Sequence, residues 1–491
     1  MTRPLKRYRY LLTRVLRPAR KGEPRMGDIP LTLHSKERPI VEVGVCNCET
    51  LSSTEGVFPH STGAQGRVST TQPTVTPALK PLHGEHLTRR TVLTMFCDPL
   101  PRQYARFLPQ SEREWRKLLH WLDLSGLALY FLDRLSELDL CGLLPAAVLD
   151  RLQLNLIDNT QRTQSMVSES VAIQQEFQKA GIVYANLKGL SLCPQSVPKL
   201  ELRLQFDLDF LIAARCLAEA RTILERRGYR LYANSGRSWE FKFNERPGVS
   251  LRDIYKDFGS YAVELHVELS VPGAHSLFER LQWREFHSLN MPLLSPADLL
   301  LGQGLHAFKH ICGETPRAAH LLEFRRHVLS RRDDIAFWRD LHRVAQDKPR
   351  AHLGLGIVIL MITRVMGDFA PEVLTSWTVD GLSWPVRLWV ELYGHRVALG
   401  SYPGSKLYLL LQQELQLAGV PEKRSLRRAL LPSRLPPPAI RAFPNEAIPV
   451  RIRRYSMHFK LILERLRFHI VEGIRFAVES RRWRRMKEGA L

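Results

Sequence analysis

The sequence predicts an α+β protein in which a small mixed-sheet core lies between helical domains, with basic tails whose composition favours disorder. Three observations lead there. Between about residues 181 and 290, short runs alternate apolar and polar residues at the two-residue period of strands. On both sides, apolar residues recur at three- and four-residue steps, the period of helices. Both ends are basic: the first 22 residues hold eight Lys or Arg and no acid, and residues 421–491 hold 18 basic against 6 acidic residues.

Taken in chain order, residues 1–88 join the basic start to a tract, Thr50–Pro77, dominated by Ser, Thr, Gly and Pro. Such a tract buries too little apolar surface to offset its ordering entropy, so it reads as disordered. A helical subdomain is expected over 89–180. Ser111 with Glu114 three residues on has capping-box spacing and opens an apolar-periodic segment running to Leu138. Two further helices are expected from Pro145 to about Ala180, divided near Asn155. The mixed-sheet core spans 181–290, with strands at GIVYANLKGL, at Leu202–Ile212 and at the segments WEFKF and YAVELHVEL. A helix from Ala213 to Arg227 stops at Gly228. Ser295 as cap and Pro296 at the first helical position begin a helical domain over 291–416. Residues 417–491 hold a Pro-rich joint, Leu431–Pro438, and a basic amphipathic helix from about Tyr455 to Lys487.

Composition narrows the function classes. A chain of 491 residues with 44% hydrophobic content can bury a sizeable core, and a net charge of +22 favours anionic partners. Seven scattered cysteines, with only Cys46 and Cys48 close together and no second ligand pair nearby, suit a reduced, cytoplasmic protein rather than a disulfide framework. The longest apolar run, Leu353–Ile362, is too short to span a bilayer. The acid-free, Arg-rich start resembles either a plain basic tail or an organellar transit segment.

The stretch Leu202–Ile212, LRLQFDLDFLI, carries the most chemistry. In an extended strand Asp207 and Asp209 share one face while Phe206, Leu208 and Phe210 take the other. Two like charges so close repel unless water or a cation lies between them, and a divalent metal is the usual such cation.

Around this pair stands an ordered set: Leu187-Lys188-Gly189, Arg203, Asp207-Leu208-Asp209, Gly228-Tyr229, Glu264-Leu265-His266, Ser295-Pro296-Ala297-Asp298, and His306 to His310. Over roughly residues 95–400 this order resembles the uncharacterised nucleotidyltransferase family within the DNA polymerase beta superfamily. The resemblance implies a core that holds a nucleoside triphosphate and Mg2+ or Mn2+. Asp207 and Asp209 would be the paired metal ligands, and Glu264 a third carboxylate that binds metal or acts as base toward an acceptor hydroxyl. Gly189 would permit close backbone approach to phosphate, and a helix start at Leu190 or Ser191 would offer free amides. Lys188 and Arg203 would clamp phosphates, and His266 would contact phosphate or orient a carboxylate. The wider superfamily often has Gly-Ser or Gly-Gly at the turn and a shorter spacer, so the triphosphate pose does not carry over. The acceptor, a hydroxyl or an amine, is not legible.

Each residue also has a plainer explanation. Asp207 and Asp209 could form a solvated strand edge, and Glu264, His266 and Glu268 a charged surface stripe. His306 and His310 have zinc-competent spacing, yet Ala307 stands where a zinc hydrolase carries its glutamate. Cys193 has no neighbouring base to make it a nucleophile. In the C-terminal helix, Phe459, Leu463, Leu466, Ile470, Ile474 and Ala477 form an apolar stripe beside many arginines. That stripe fits an anionic membrane surface, a polyanion, or docking on the protein's own helices. The rival to an enzyme is therefore a non-catalytic protein of the same fold, attached to a membrane or polyanion through its basic tails.

Overall fold

The computed structural model describes residues 84–100, 107–243, 253–259, 261–268, 275–315, 317–348, 350–420, 425–431 and 447–489. The expectations for the N-terminal tail, Cys46 and Cys48, the Thr50–Pro77 tract and most of the Leu431–Pro438 joint lie outside them. Mixed α and β structure is what the sequence patterning anticipates.

A seven-stranded mixed sheet forms the middle, in the order β3-β4-β5-β2-β1-β7-β6. Its strands are β1 Tyr184–Leu187, β2 Asp207–Ala213, β3 Arg230–Asn234, β4 Ser238–Lys242, β5 Ala262–Glu268, β6 Gln282–Phe286 and β7 Leu289–Leu293. The central pair, β2 and β5, runs parallel, whereas β1 and β4 flank it antiparallel. One face is apolar. Leu208, Phe210 and Ile212 of β2, Val263 and Leu265 of β5, and Phe241 of β4 pack with Met166, Ile173 and Phe177 of the helix Ala146–Lys179 and with Ile223 and Leu224 of the helix Leu217–Arg226. Phe177 meets Tyr184 and Phe210 edge-on at centroid distances of 5.4 and 5.6 Å, a geometry that adds about 1 kcal/mol beyond burial for each pair. With two helices covering that face, alternation turns the polar residues of β2, β4 and β5 to the other.

Several elements depart from the sequence expectation. The segment opened by Ser111 is two helices, Glu112–Ser125 and Ala128–Glu137, because Gly126 takes a left-handed conformation at φ 76° and stops the first. The capping box is present: the Glu114 amide donates to Ser111 Oγ and the Ser111 amide to the Glu114 carboxylate. The two helices expected around Asn155 are one helix of 34 residues, Ala146–Lys179. Asn155 is buried within it, and four residues on the Asn159 amide donates to the Glu201 carbonyl, so tertiary packing overrides weak propensity. The strand expected from Leu202 begins at Asp207, since Leu200–Leu202 form a tight helical turn. A hairpin of β6 and β7 was not anticipated; His287 and Ser288 occupy its turn with φ of 49° and 59°.

Beyond the sheet, the helix Pro296–Ile311 starts as expected, with the Ser295 hydroxyl accepting from the Asp298 amide. It packs with Ala318–Ser330, Ile335–Gln346 and Ala351–Met366 into the main helical core. The C-terminal helix runs longer than expected, Ile448–Glu488. Among the described residues no helix is long and apolar enough to cross a membrane.

Candidate functional site

The polar face of the sheet carries a row of acids. Register places Asp209 of β2 opposite Glu264 of β5, and Glu264 opposite Glu240 of β4, so three carboxylates stand in line across three neighbouring strands. Asp209 and Glu240 are buried. His266, two residues beyond Glu264 on the same face, places Nε2 2.9 Å from Asp209 Oδ1 and 3.2 Å from Glu264 Oε2. Lys188 brings its ammonium to 3.6 Å from Asp209 Oδ1, and Ser238 Oγ donates to Glu264 Oε1. Burial alone would depress the His266 imidazole, but its hydrogen bonds to Asp209 and Glu264 outweigh this and hold it above its ordinary value. The acids thus sit beside the His266 ring and the Lys188 ammonium.

One donor atom from each of Asp209, Glu264 and His266 lies within 4.8 Å of the others. Asp207, first residue of β2, lies outside that cluster and within electrostatic range of Arg162. The carboxylates of Asp209 and Glu264 are oxygen donors of the kind that hard divalent cations take, whereas Glu240, one strand over, pairs with the Lys242 ammonium at 3.4 Å. A hard divalent cation fits these oxygen donors, and Lys188 is the cation beside Asp209 here.

The turn after β1 is strained in an informative way. Lys188 has φ 54° and ψ −157°, a region that residues bearing side chains avoid, and Gly189 follows with φ 48°. Strain of this kind persists where surrounding contacts enforce it. A Cβ at Gly189 would run into the Gln205 side-chain amide. No α-helix begins after it: Gly189–Leu192 is a four-residue turn, ended by Cys193 in extended conformation before Pro194, because a residue preceding proline avoids the helical region. The Ser191 amide and hydroxyl both donate to the Lys188 carbonyl, at 2.9 and 2.8 Å. That buried serine therefore fixes the strained lysine backbone.

Arg203 is directed inward. Its Nε donates to Glu323 Oε1 at 3.0 Å and its Nη1 to Gln205 Oε1 at 3.1 Å, while Gln205 Nε2 donates to the Asp207 carbonyl at 2.7 Å. Arg203 thereby ties the turn, the start of β2 and the helix Ala318–Ser330 together. Glu268 is engaged by the following loop, accepting from Ser276 Oγ and the Leu277 amide. Burial pushes the Cys193 thiol up, away from thiolate chemistry.

Sequence reasoning passed over two participants. Glu240 lies inside the strand segment WEFKF, where alternation already gives Ser238, Glu240 and Lys242 one face, but only strand pairing aligns it with Glu264. His320 is the other. It joins His306 and His310 in a cluster of three rings whose centroids are 4.6–4.8 Å apart.

A family model described as uncharacterised nucleotidyltransferase matches residues 111–367. Among solved structures, an antigenic nucleotidyltransferase-like protein from Paracoccidioides brasiliensis is similar at 15% identity over 40% of this chain and 92% of that one, with a TM-score of 0.24. None of the curated proteins matches this chain.

Proposed function

Because this chain belongs to the uncharacterised nucleotidyltransferase family, we propose that it transfers a nucleoside monophosphate from a nucleoside triphosphate to a hydroxyl or amine acceptor and releases pyrophosphate, with Mg2+ or Mn2+ as cofactor. The observation that supports this reading best is the in-register alignment of Asp209 with Glu264, flanked by Lys188 and His266. Two carboxylates so close, one of them buried, repel each other and are desolvated, and a cation between them would relieve both costs.

Asp209 and Glu264 would hold the metal, which when bound supplies neutralisation of charge on the triphosphate, and Asp207, outside their cluster but on the same face of β2, would join them only by turning toward it. In the transfer, a bond forms between the acceptor oxygen or nitrogen and the α-phosphorus, and the bond from that phosphorus to the bridging oxygen of pyrophosphate breaks. The acceptor proton leaves to a carboxylate of the row, with Glu264 as the base. Ser238 orients Glu264, and His266 holds Asp209 and Glu264 in one orientation. Lys188, on its strained backbone, faces the phosphates, and Gly189 allows their close approach. Arg203 and Ser191 position that turn through Gln205 and the Lys188 carbonyl.

Incubating purified protein with each labelled triphosphate, Mg2+ or Mn2+ and a cell lysate tests the reading. Transfer of label that disappears in Asp207→Ala and Asp209→Ala variants supports it and reveals the acceptor by mass. Equal labelling in both variants removes the aspartates from the mechanism. A non-catalytic binding protein would give no label with any triphosphate, and an enzyme acting on nucleic-acid ends would show steep salt dependence of acceptor binding.

A further inference from the structure

We propose a second metal site, separate from the carboxylate row, in which His306, His310 and His320 hold a transition-metal ion of the zinc class. His306 and His310 lie one turn apart on the helix Pro296–Ile311, and His320 faces them from the helix Ala318–Ser330. One nitrogen from each ring lies within 4.8 Å of the others. The Nε2 atoms of His306 and His310 are 3.2 Å apart. Two nitrogens bound to one tetrahedral zinc at its usual bond length stand about 3.3 Å apart.

A second feature points the same way. His310 Nδ1 lies 2.8 Å from the Thr315 carbonyl, which can only accept, so that nitrogen carries the proton and Nε2 presents its lone pair to the cluster. Backbone carbonyls orient metal-binding imidazoles in this manner. His320 is 5% exposed, and its Nδ1 has no hydrogen-bond partner, an arrangement that ring packing alone leaves unexplained. Burial pushes His306 and His320 well below their ordinary values and His310 to about 4, so all three are neutral, the form that ligates.

Three imidazoles with no carboxylate among them select zinc, cobalt, nickel or copper over magnesium, and leave a fourth position open. The surroundings qualify what fills it. Lys188, Lys309, Arg203 and Arg317 are the cations that act on these rings, with Asp209 opposing them at His306. They disfavour a bare dication and favour an ion whose fourth ligand is an anion, hydroxide or a phosphate oxygen.

The test uses the full chain stripped with a chelator and titrated with Zn2+ against a chromophoric competitor, and separately with Co2+ followed by visible absorbance. One equivalent of zinc and the intense bands of tetrahedral Co2+ are expected. His306→Ala and His320→Gln, shown to be folded by circular dichroism, should weaken binding by more than about 100-fold, beyond the loss typical of an outer-shell partner. Asp209→Asn should keep the bands, since it belongs to the carboxylate row. Wild-type protein that binds no equivalent of zinc overturns the proposal, as does binding unchanged in the histidine variants or abolished in Asp209→Asn.

A different observation carries a second proposal. The helix Ile448–Glu488 has two apolar faces. Leu461, Phe468, Phe476 and Trp483 are buried. On the opposite side, Ile452, Phe459, Leu463, Leu466, Ile470 and Ile474 form a continuous stripe, each 48–64% exposed. The stripe extends for about 33 Å. The helix carries twelve basic against four acidic residues. Arg465, Arg475 and Arg482 are paired with Glu314, Glu472 and Glu479 of the protein itself, whereas Arg467, Arg481, Arg484 and Arg485 are exposed. We infer that this stripe lies in the plane of an anionic membrane surface, its apolar side chains in the headgroup boundary and these exposed arginines on lipid phosphates. A polyanion would satisfy the arginines but leave the stripe uncovered. Co-sedimentation of the full chain with phosphatidylcholine vesicles, with and without phosphatidylglycerol, tests it. Binding to the anionic vesicles alone, reduced at least tenfold by Phe459→Glu with Ile470→Glu, supports the inference. Absence of binding, binding indifferent to these substitutions, or a wild-type dimer that the substitutions dissociate would overturn it.

Discussion

The acid row on the sheet and the histidine cluster on the helices are both convergences of donor atoms within 4.8 Å, yet their electrostatics are opposite. On the sheet, hydrogen bonds to two carboxylates raise the His266 imidazole above its ordinary value, and the proposed hard cation would meet oxygen donors there. On the helices, three rings bury one another in company with cations and are kept neutral. Proximity of ligating side chains therefore does not specify an ion. Donor type is the better guide: carboxylate oxygens suit hard cations of the Mg2+ kind and imidazole nitrogens suit zinc.

Breaking one cluster without the other is the largest test of that contrast. Asp209→Asn is expected to lower nucleotidyl transfer by at least about 100-fold, the scale of losing an electrostatic group that acts on the transition state, in radiolabel assays. An effect on transfer equally large in His320→Gln would merge the two sites. Acid stability comes next. In metal-free protein, the depressed His310 contributes stability that is complete above its unfolded value near 6.5 and is lost as pH falls toward its folded value of about 4, up to about 3 kcal/mol. The raised His266 has the reverse sign: its contribution is present below pH 6.5 and is lost as pH rises through its elevated folded value. Imidazole NMR titration should show His266 titrating above the ordinary range and the cluster of three below it.

Smaller effects refine the acid row. Gly189→Ala should destabilise the chain by about 1–3 kcal/mol in denaturant unfolding, from positive φ and the encounter with Gln205. Ser238→Ala should cost under about 1.5 kcal/mol of stability, and any larger loss in transfer rate than in stability would mark Ser238 as orienting Glu264 for chemistry.

Much of this was legible beforehand because it is local. Ser111 with Glu114, Ser295 with Pro296, and the alternation through Asp207 and Asp209 or Glu264 and His266 depend on neighbours within a few residues. Where the sequence misled, distant contacts decided. Asn155 looked like a helix break but is buried in a continuous helix, and the Arg203 guanidinium turns to Glu323 and Gln205. Glu240 was invisible as a site residue, since nothing in WEFKF says which strand it will pair with.

Alternation and helical period by themselves determined which faces of β2 and β5 are polar, where the principal helices start, and that the C-terminal helix carries an apolar stripe amid arginines. Tertiary structure alone decided that Glu240 aligns with Glu264, that His320 closes on His306 and His310, and that the stripe through Phe459 and Ile470 is the face left exposed. The physical reason is one of range. Backbone geometry fixes side-chain direction within an element, whereas register and packing between elements depend on residues tens of positions away that sequence periodicity does not connect.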